Sequence, residues 1–394
     1  MEFLKDKRKR RQFCFSYGAF VMNGMLALSI GSLLPFIRDA RGLDYAFCGL
    51  LVSLHSVGNL ASSFAAGMLP VLIGRKKSIL LFNSFYALSY LLMIFCGGRT
   101  GLILAFTMTG LARGATSNFC NTTVNQLAPG TAWLINGLHA MFSVGAFLFP
   151  IFLLLMTRGE EGGWIYACYV LVAMGILSWL FYLLMPVEEK PADKKKTVDG
   201  GMGFFKEPLF ILCTGTLFFY LCAEQGVIGW MITYFKDTGL LDPSLSQVTA
   251  SLLWVMILAG RLTTAWLSTK MPKGRLLLLM GTGIVVFFFL LITGRSTGLI
   301  LAGILGFGYS MAGIYPTTVA FAGMTIQKYD LAWSFMLTMA SIGSVVMPSV
   351  IGRIAEVSGI FAGMSSILAV LAVDMAFIVG LVIYVKRHPE QGAA

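Results

Sequence analysis

Charge is what this sequence has least of. Only 12% of its 394 residues are Asp, Glu, Lys or Arg, while 57% are hydrophobic, and the mean hydropathy is +0.81. A soluble chain of this length carries roughly 25% charged residues to cover its surface. Histidine is scarcer still, at three residues, and the seven cysteines (Cys14, Cys48, Cys96, Cys120, Cys168, Cys213 and Cys222) form no CxxC pair. They read as small buried hydrophobes, which argues against a disulfide framework. No His, Cys and Asp group has metal-ligand spacing, so neither metal nor cofactor is expected. There is no GxxxxGK[ST] run, which argues against direct ATP drive. No convergent catalytic set is visible either, and an enzyme is not expected. The net charge of +11 would by itself suit nucleic acid, but the basic residues fall in short loops and not along one face.

What is present is a succession of apolar runs, each long enough to cross a bilayer core. They are continuous and not ten-residue alternating stretches, so they predict helices and not a barrel. Twelve spans can be drawn: 13–37, 47–72, 78–97, 101–126, 133–156, 164–185, 208–235, 246–269, 275–293, 297–325, 331–353 and 361–385. The basic N-terminus and the apolar run after it look superficially like a signal peptide. That run is too long for one and reads as a retained first span. The one long polar break lies at 186–208, "PVEEKPADKKKTVDGGMGFFKEP", a charged linker. It separates an N-terminal bundle, 1–186, from a C-terminal bundle, 208–394, with 187–207 between them. With the N-terminus inside, 20 of the 29 Lys and Arg fall on inner segments and 6 in outer loops. This bias predicts that both termini are cytoplasmic in a multi-pass protein of the cytoplasmic (inner) membrane.

The two bundles repeat one another. "GRTGLILA" at 98–105 returns as "GRSTGLILA" at 294–302, at the outer starts of spans 4 and 10. "GAFLFP" (Gly145 to Pro150) matches "GSVVMP" (Gly343 to Pro348), and Gly58 of span 2 matches Gly260 of span 8. Offsets near 200 indicate duplicated six-helix halves related by a pseudo-twofold axis along the membrane normal. That arrangement predicts a solute site near the midplane.

Across nearly the whole chain these features resemble the major facilitator superfamily of secondary transporters. The loop signature of that family, Gly-x-x-x-Asp-x-x-Gly-Arg-Lys/Arg, is met here by "GMLPVLIGRK" with Gly67, Gly74, Arg75 and Lys76, while Val71 replaces the aspartate. The phrases "LHAMFSVGAFLFP", "FFYLCAEQGVIGWMITYF", "LLWVMILAGRL" and "GIYPTT" look like the sugar-permease branch, with its fucose and glucose permeases. The resemblance implies alternating access, with spans 1, 4, 7 and 10 lining the cavity and spans 3, 6, 9 and 12 as scaffold. It also implies gating and structural roles for Gly67, Gly74, Arg75, Lys76, Gly260 and Arg261.

Ionisable groups deep in a span are costly, so each is a functional candidate. Glu224 sits midway along span 7, one turn from Tyr220, and is the candidate proton carrier. A structural ion pair is its alternative reading. Arg113 in span 4 stays cationic and needs an anion, either Glu224 or a carboxylate or phosphate on the solute. Gly110 and Gly114 beside it permit a close neighbouring helix. Asn118, Asn121 and Asn125 form a polar stripe suited to hydroxyl-rich solutes. Asn23 in span 1 either binds solute or joins helices. Tyr220, Trp230, Trp254, Tyr309 and Tyr315 supply aromatic faces. Trp230 and Tyr234 read equally well as an interfacial belt. His55 and His139 are proton relays or packed hydrogen-bonding groups. Asp374 falls in the middle of span 12, a scaffold helix, where the resemblance gives it no role.

The expectation is a monomeric secondary transporter for a small polar solute, a sugar or sugar derivative, coupled to protons, with sodium as the alternative coupling ion. Asn23, Arg113, Asn118, Asn121, Tyr220, Glu224, Trp254, Tyr309 and Tyr315 are its candidate solute-binding residues. An organic-anion permease using Arg113 is the alternative. Drug export is a third reading, disfavoured because "SVGAFLFP" meets the exporters' Gly-x-x-x-Gly-Pro pattern only in part.

Overall fold

A computed structural model describes residues 5–127, 132–157, 162–187, 202–329 and 331–388. Most of the central linker, and Arg158 in its loop, lie outside them. The first half holds α1 (Lys7–Arg41), α2 (Tyr45–Ile73), α3 (Arg75–Phe95), α4 (Arg99–Leu127), α5 (Ala132–Thr157) and α6 (Gly163–Leu184). The second half opens with a short 3₁₀ turn, Met202–Lys206. It continues with α7 (Pro208–Thr238), α8 (Pro243–Leu267), α9 (Lys273–Thr293), α10 (Thr297–Met311), α11 (Ile314–Lys328), α12 (Ala332–Ser358) and α13 (Ile360–Arg387). No strand occurs among the described residues.

Local chemistry sets the helix ends. Asp6 caps α1 by accepting from the Arg8 N–H, and Gly42 closes it in the left-handed region at φ 58°. Asp242 accepts from the N–H groups of Ser244 and Leu245, and Pro243 follows at the first position of α8, where its missing N–H costs nothing. One span differs from the sequence reading. The tenth, drawn as a single run over 297–325, is broken into α10 and α11 at Ala312 and Gly313. Pro316 is the reason: it cannot donate to the Ala312 carbonyl, and its ring crowds that same carbonyl.

Eleven of the described helical spans, counting α10 and α11 as one, are long and apolar enough to cross a membrane. The exception is α4, which is long enough at 29 residues but carries Arg113, Asn118, Asn121, Asn125 and six threonines. The polar composition that excludes α4 from a hydropathy count is what makes it a candidate site helix.

The chain forms two compact units, one of residues 1–43 and 50–194, the other of 44–49 and 195–394. In the first, α1 packs on α5 and α4, and α3 packs on α4 and α6. In the second, α7 packs on α12 and α13, while α10 packs on α8 and α9. Glycines set the closest crossings within each unit. A methyl on Gly145 would strike the Val21 carbonyl, and one on Gly343 the Phe218 carbonyl. Likewise Gly110 lies against the His55 carbonyl, and Gly308 against that of Leu253. Both members of that last pair recur 198 positions on (110 to 308, 55 to 253), so the duplication extends to the helix crossings. At this offset the counterpart of Arg113 is the apolar Met311.

Candidate functional site

Candidate ionisable residues named from the sequence form a cluster in each unit. In the first, Gly110 and Gly114 let α4 press against α2, with the backbones at His55 and Asn59 in contact with them. This brings Arg113 to His55. The Thr109 hydroxyl donates to the Phe106 carbonyl at 2.6 Å, so its oxygen accepts from His55 Nδ1–H at 2.8 Å. The proton therefore sits on Nδ1, and Nε2 presents its lone pair to Arg113 Nη1 at 3.2 Å. His55 is 2% exposed and the arginine is half-buried. The guanidinium carbon lies 5.9 Å from the centre of the Phe142 ring on α5. The guanidinium thus meets the imidazole nitrogen of His55 and the aromatic face of Phe142, both of which orient it.

The amides of the asparagine stripe serve different neighbours. Asn23 is buried, and its amide donates to Ser117 Oγ on α4 at 2.9 Å. Asn121 donates to the Ser117 carbonyl within its own helix at 2.8 Å. Asn118 is exposed and reaches the Ser63 carbonyl of α2 at 3.4 Å. Ser117 is therefore a hub that the sequence reading missed. His139 meets the Phe20 ring edge-on at 5.5 Å.

In the second unit, the Tyr220 hydroxyl donates to Glu224 Oε1 at 3.1 Å, the one-turn pairing that the spacing predicts. Tyr315, at the start of α11, lies within electrostatic reach of Glu224, and Arg261 of α8 within reach of Tyr220. Gly260 brings α8 to the Tyr309 carbonyl of α10 and so delivers the neighbouring Arg261 to this cluster. Trp254 is buried on α8, and Tyr309 is half-buried on α10. Trp230 and Tyr234 are fully buried, which corrects the interfacial-belt reading. Trp230 Nε1 donates to the Pro348 carbonyl at 3.1 Å, and its ring centre lies 6.0 Å from that of Tyr45. The Tyr45 hydroxyl in turn donates to Asp237 at 2.6 Å, and its backbone N–H to Glu356 at 2.7 Å. No sequence signal joined these segments, because residues 45, 230–237 and 348–356 lie more than a hundred positions apart.

The Gly-Arg-Lys stretch works as a set of tethers. Gly74 has φ 86°, a conformation an L side chain resists, and it turns the chain from α2 into α3. Arg75 then donates to Gln126 at 2.9 Å and to Thr123 at 3.2 Å, with Phe119 beneath its guanidinium at 4.7 Å. Lys76 donates to the carbonyls of Leu183 and Met185 at 2.8 and 2.6 Å. Val71, at the position of the missing aspartate, is 64% exposed, so the tethers run to α4 and the end of α6 without it. Gly67 lies on α2.

Among the described residues no group of three or more His, Cys, Asp or Glu is arranged to hold a metal ion. A profile of the Major Facilitator Superfamily matches residues 14–348. The glucose/mannose transporter GlcP of Bacillus subtilis is 23% identical over 93% of this chain and 95% of its own. Among solved structures, the nucleoside transporter NupG superposes with a TM-score of 0.74 at 14% identity, covering 95% of this chain and 98% of that one. A D-xylose-proton symporter gives 0.73 at 14% identity over 94% and 96%. With apolar helices throughout, polar clusters confined to helices of these two units, and a profile match over most of its length, this chain is a multi-pass membrane protein of the major facilitator superfamily.

Proposed function

We propose that this transporter moves a small polar solute, a sugar or sugar derivative, across the cytoplasmic membrane by alternating access, driven by protons. The observation that carries the reading is the Tyr220–Glu224 pair with Arg261 and Tyr315 around it. It is a carboxylate on a membrane helix, hydrogen-bonded by one phenol and within reach of a second, with the Arg261 cation within reach of the first phenol. Hydroxyl-rich solutes are bound by amides, phenols and carboxylates beside flat aromatic faces, and α4, α7, α8, α10 and α11 carry such groups. The similarity to a glucose/mannose transporter supports the solute class. Glu224 is the proton-carrying residue in this reading, and Asn23, Asn118, Asn121, Tyr220, Trp254, Tyr309 and Tyr315 contact solute.

A second reading has its own observation. The Arg113 guanidinium is oriented by His55 on a membrane helix, and a guanidinium is suited to bind a carboxylate or phosphate on the solute. Uptake into liposomes under an imposed pH gradient separates the two. The panel is D-glucose, D-mannose, D-xylose, uridine, D-gluconate and D-glucuronate. The sugar reading expects a neutral member to accumulate and R113A to retain its binding. Accumulation of the acids alone, lost in R113A, selects the anion reading. Transport of neither group counts against both.

A further inference from the structure

Asp374, midway along α13, belongs to neither cluster. It is 0% exposed, and both of its carboxyl oxygens are buried without a hydrogen-bond partner among the described residues. Three helices pack on α13: α7, α9 and α12. From α7 the ionisable group that faces Asp374 is the buried Cys222 thiol. Glu224 is two residues from Cys222, about 200° around the helix, and is turned away. From α12 the Cys222 sulfur meets Gly343, whereas the charged residues of that helix, Arg353 and Glu356, lie ten or more positions on, about 15 Å along the axis. From α9 the neighbours are Gly281 against Met375 and Ile378, and the charges of that helix, Lys273 and Arg275, sit in its first turn. On α13 itself the next ionisable group is Tyr384, ten residues away.

A carboxylate in this position has neither a counter-charge nor a donor, and its desolvation goes uncompensated. The carboxylic acid fits the same space with one O–H to place. Such a group is rare in a membrane helix unless it does something. We propose that Asp374 is a proton-binding site in its own right, occupied in the conformation described and separated from Glu224 by the body of α7. Giving up that proton requires a new donor or cation beside the carboxyl. Release is thereby tied to water entry or to a parting of α7 from α13.

The site is a property of α13 and its neighbours and holds whichever solute is carried. Infrared difference spectroscopy of the reconstituted full chain at neutral pH tests it. Wild type minus Asp374→Asn should show a carboxylic-acid C=O band that disappears with the side chain. That band should cancel in wild type minus Glu224→Gln, where both proteins keep Asp374, and should reappear in Glu224→Gln minus the double variant that also carries Asp374→Asn, so the two carboxyls are read separately and either assignment can fail alone. A wild type minus D374N spectrum with carboxylate bands, and no acid band, overturns the proposal. Asp374→Glu guards against misfolding of the amide variant. Paired acid bands of opposite sign in wild type minus D374E support protonation at position 374, and carboxylate pairs there refute it.

Discussion

Arg113 and His55 meet on adjacent helices at 3.2 Å, with the imidazole as acceptor and the guanidinium as donor. Thr109 dictates that arrangement, because its hydroxyl hydrogen is already committed to the Phe106 carbonyl and its oxygen takes the His55 Nδ1 proton. The histidine is therefore a positioning residue that acts through the arginine. If Arg113 binds solute, H55A and T109V should each weaken solute binding about tenfold, near 1.4 kcal/mol. In an R113A background the same changes should add almost nothing. Equilibrium binding across this double-mutant cycle is the check. Full additivity would separate the histidine from the arginine's task.

Glu224 makes the second prediction. E224Q keeps the shape and the acceptor oxygen offered to Tyr220 but can no longer release a proton. It should abolish pH-gradient-driven accumulation in liposomes while leaving solute exchange at equal pH near the wild-type rate. Y220F removes the phenol hydroxyl, and with it the hydrogen bond to Glu224 at 3.1 Å and any solute contact through that oxygen. Its effect on affinity should be smaller, about 1.5 kcal/mol or less if a solute takes the vacated position. An E224Q protein that still accumulates solute against its gradient would remove the carboxyl from the coupling step.

The helix count, the duplication and the paired glycines could be read from the sequence because they rest on local composition and on a repeat in register. The spacing of Tyr220 and Glu224 was legible for the same reason: one helical turn fixes it. Contacts between distant segments were not. His55 and Arg113 are 58 positions apart, and Tyr45 and Glu356 are 311 apart. Nothing in either residue's own neighbourhood names the other. The burial of Trp230 was missed because position along a span fixes depth but does not say whether lipid or a neighbouring helix covers a ring. The break at Gly313 was legible in principle from Pro316, but the apolar run continued through it.

Acid should loosen the C-terminal end of α11. Glu207 accepts from Thr325 and from Lys328, both at 2.7 Å. Its partial burial raises the carboxyl pKa, but the hydrogen bonds from Lys328 and Thr325 outweigh that and hold it below the ordinary glutamate value. A group with a depressed folded pKa contributes stability that is fully present above its unfolded pKa, about 4.3, and lost as pH falls through the folded one. The pair is largely exposed, so its contribution is small. E207Q should remove part of the drop in melting midpoint between neutral pH and about pH 4, and leave the neutral midpoint only slightly lower. A wild-type acid slope retained in E207Q would place the acid sensitivity elsewhere.

Tyr45 tests how the first turn of α2 is held. Its hydroxyl reaches a carboxylate at 2.6 Å, and its N–H reaches another at 2.7 Å. Only the first contact depends on the side chain, so Y45F deletes it and leaves the second in place. Hydrogen bonds to charged groups contribute more than neutral ones, and about 2 kcal/mol of stability should be lost. D237N keeps an acceptor for the phenol but removes the charge, and should lose less than Y45F. Gly49 and Gly352 approach at backbone contact in the same place, where a methyl on Gly49 would lie 2.6 Å from the Pro348 carbonyl. G49A should therefore cost more than Y45F, because helix backbone cannot give way as a side chain can. Melting of the purified variants in detergent orders the three. If G49A were the mildest, the glycine contact would not be what sets this crossing.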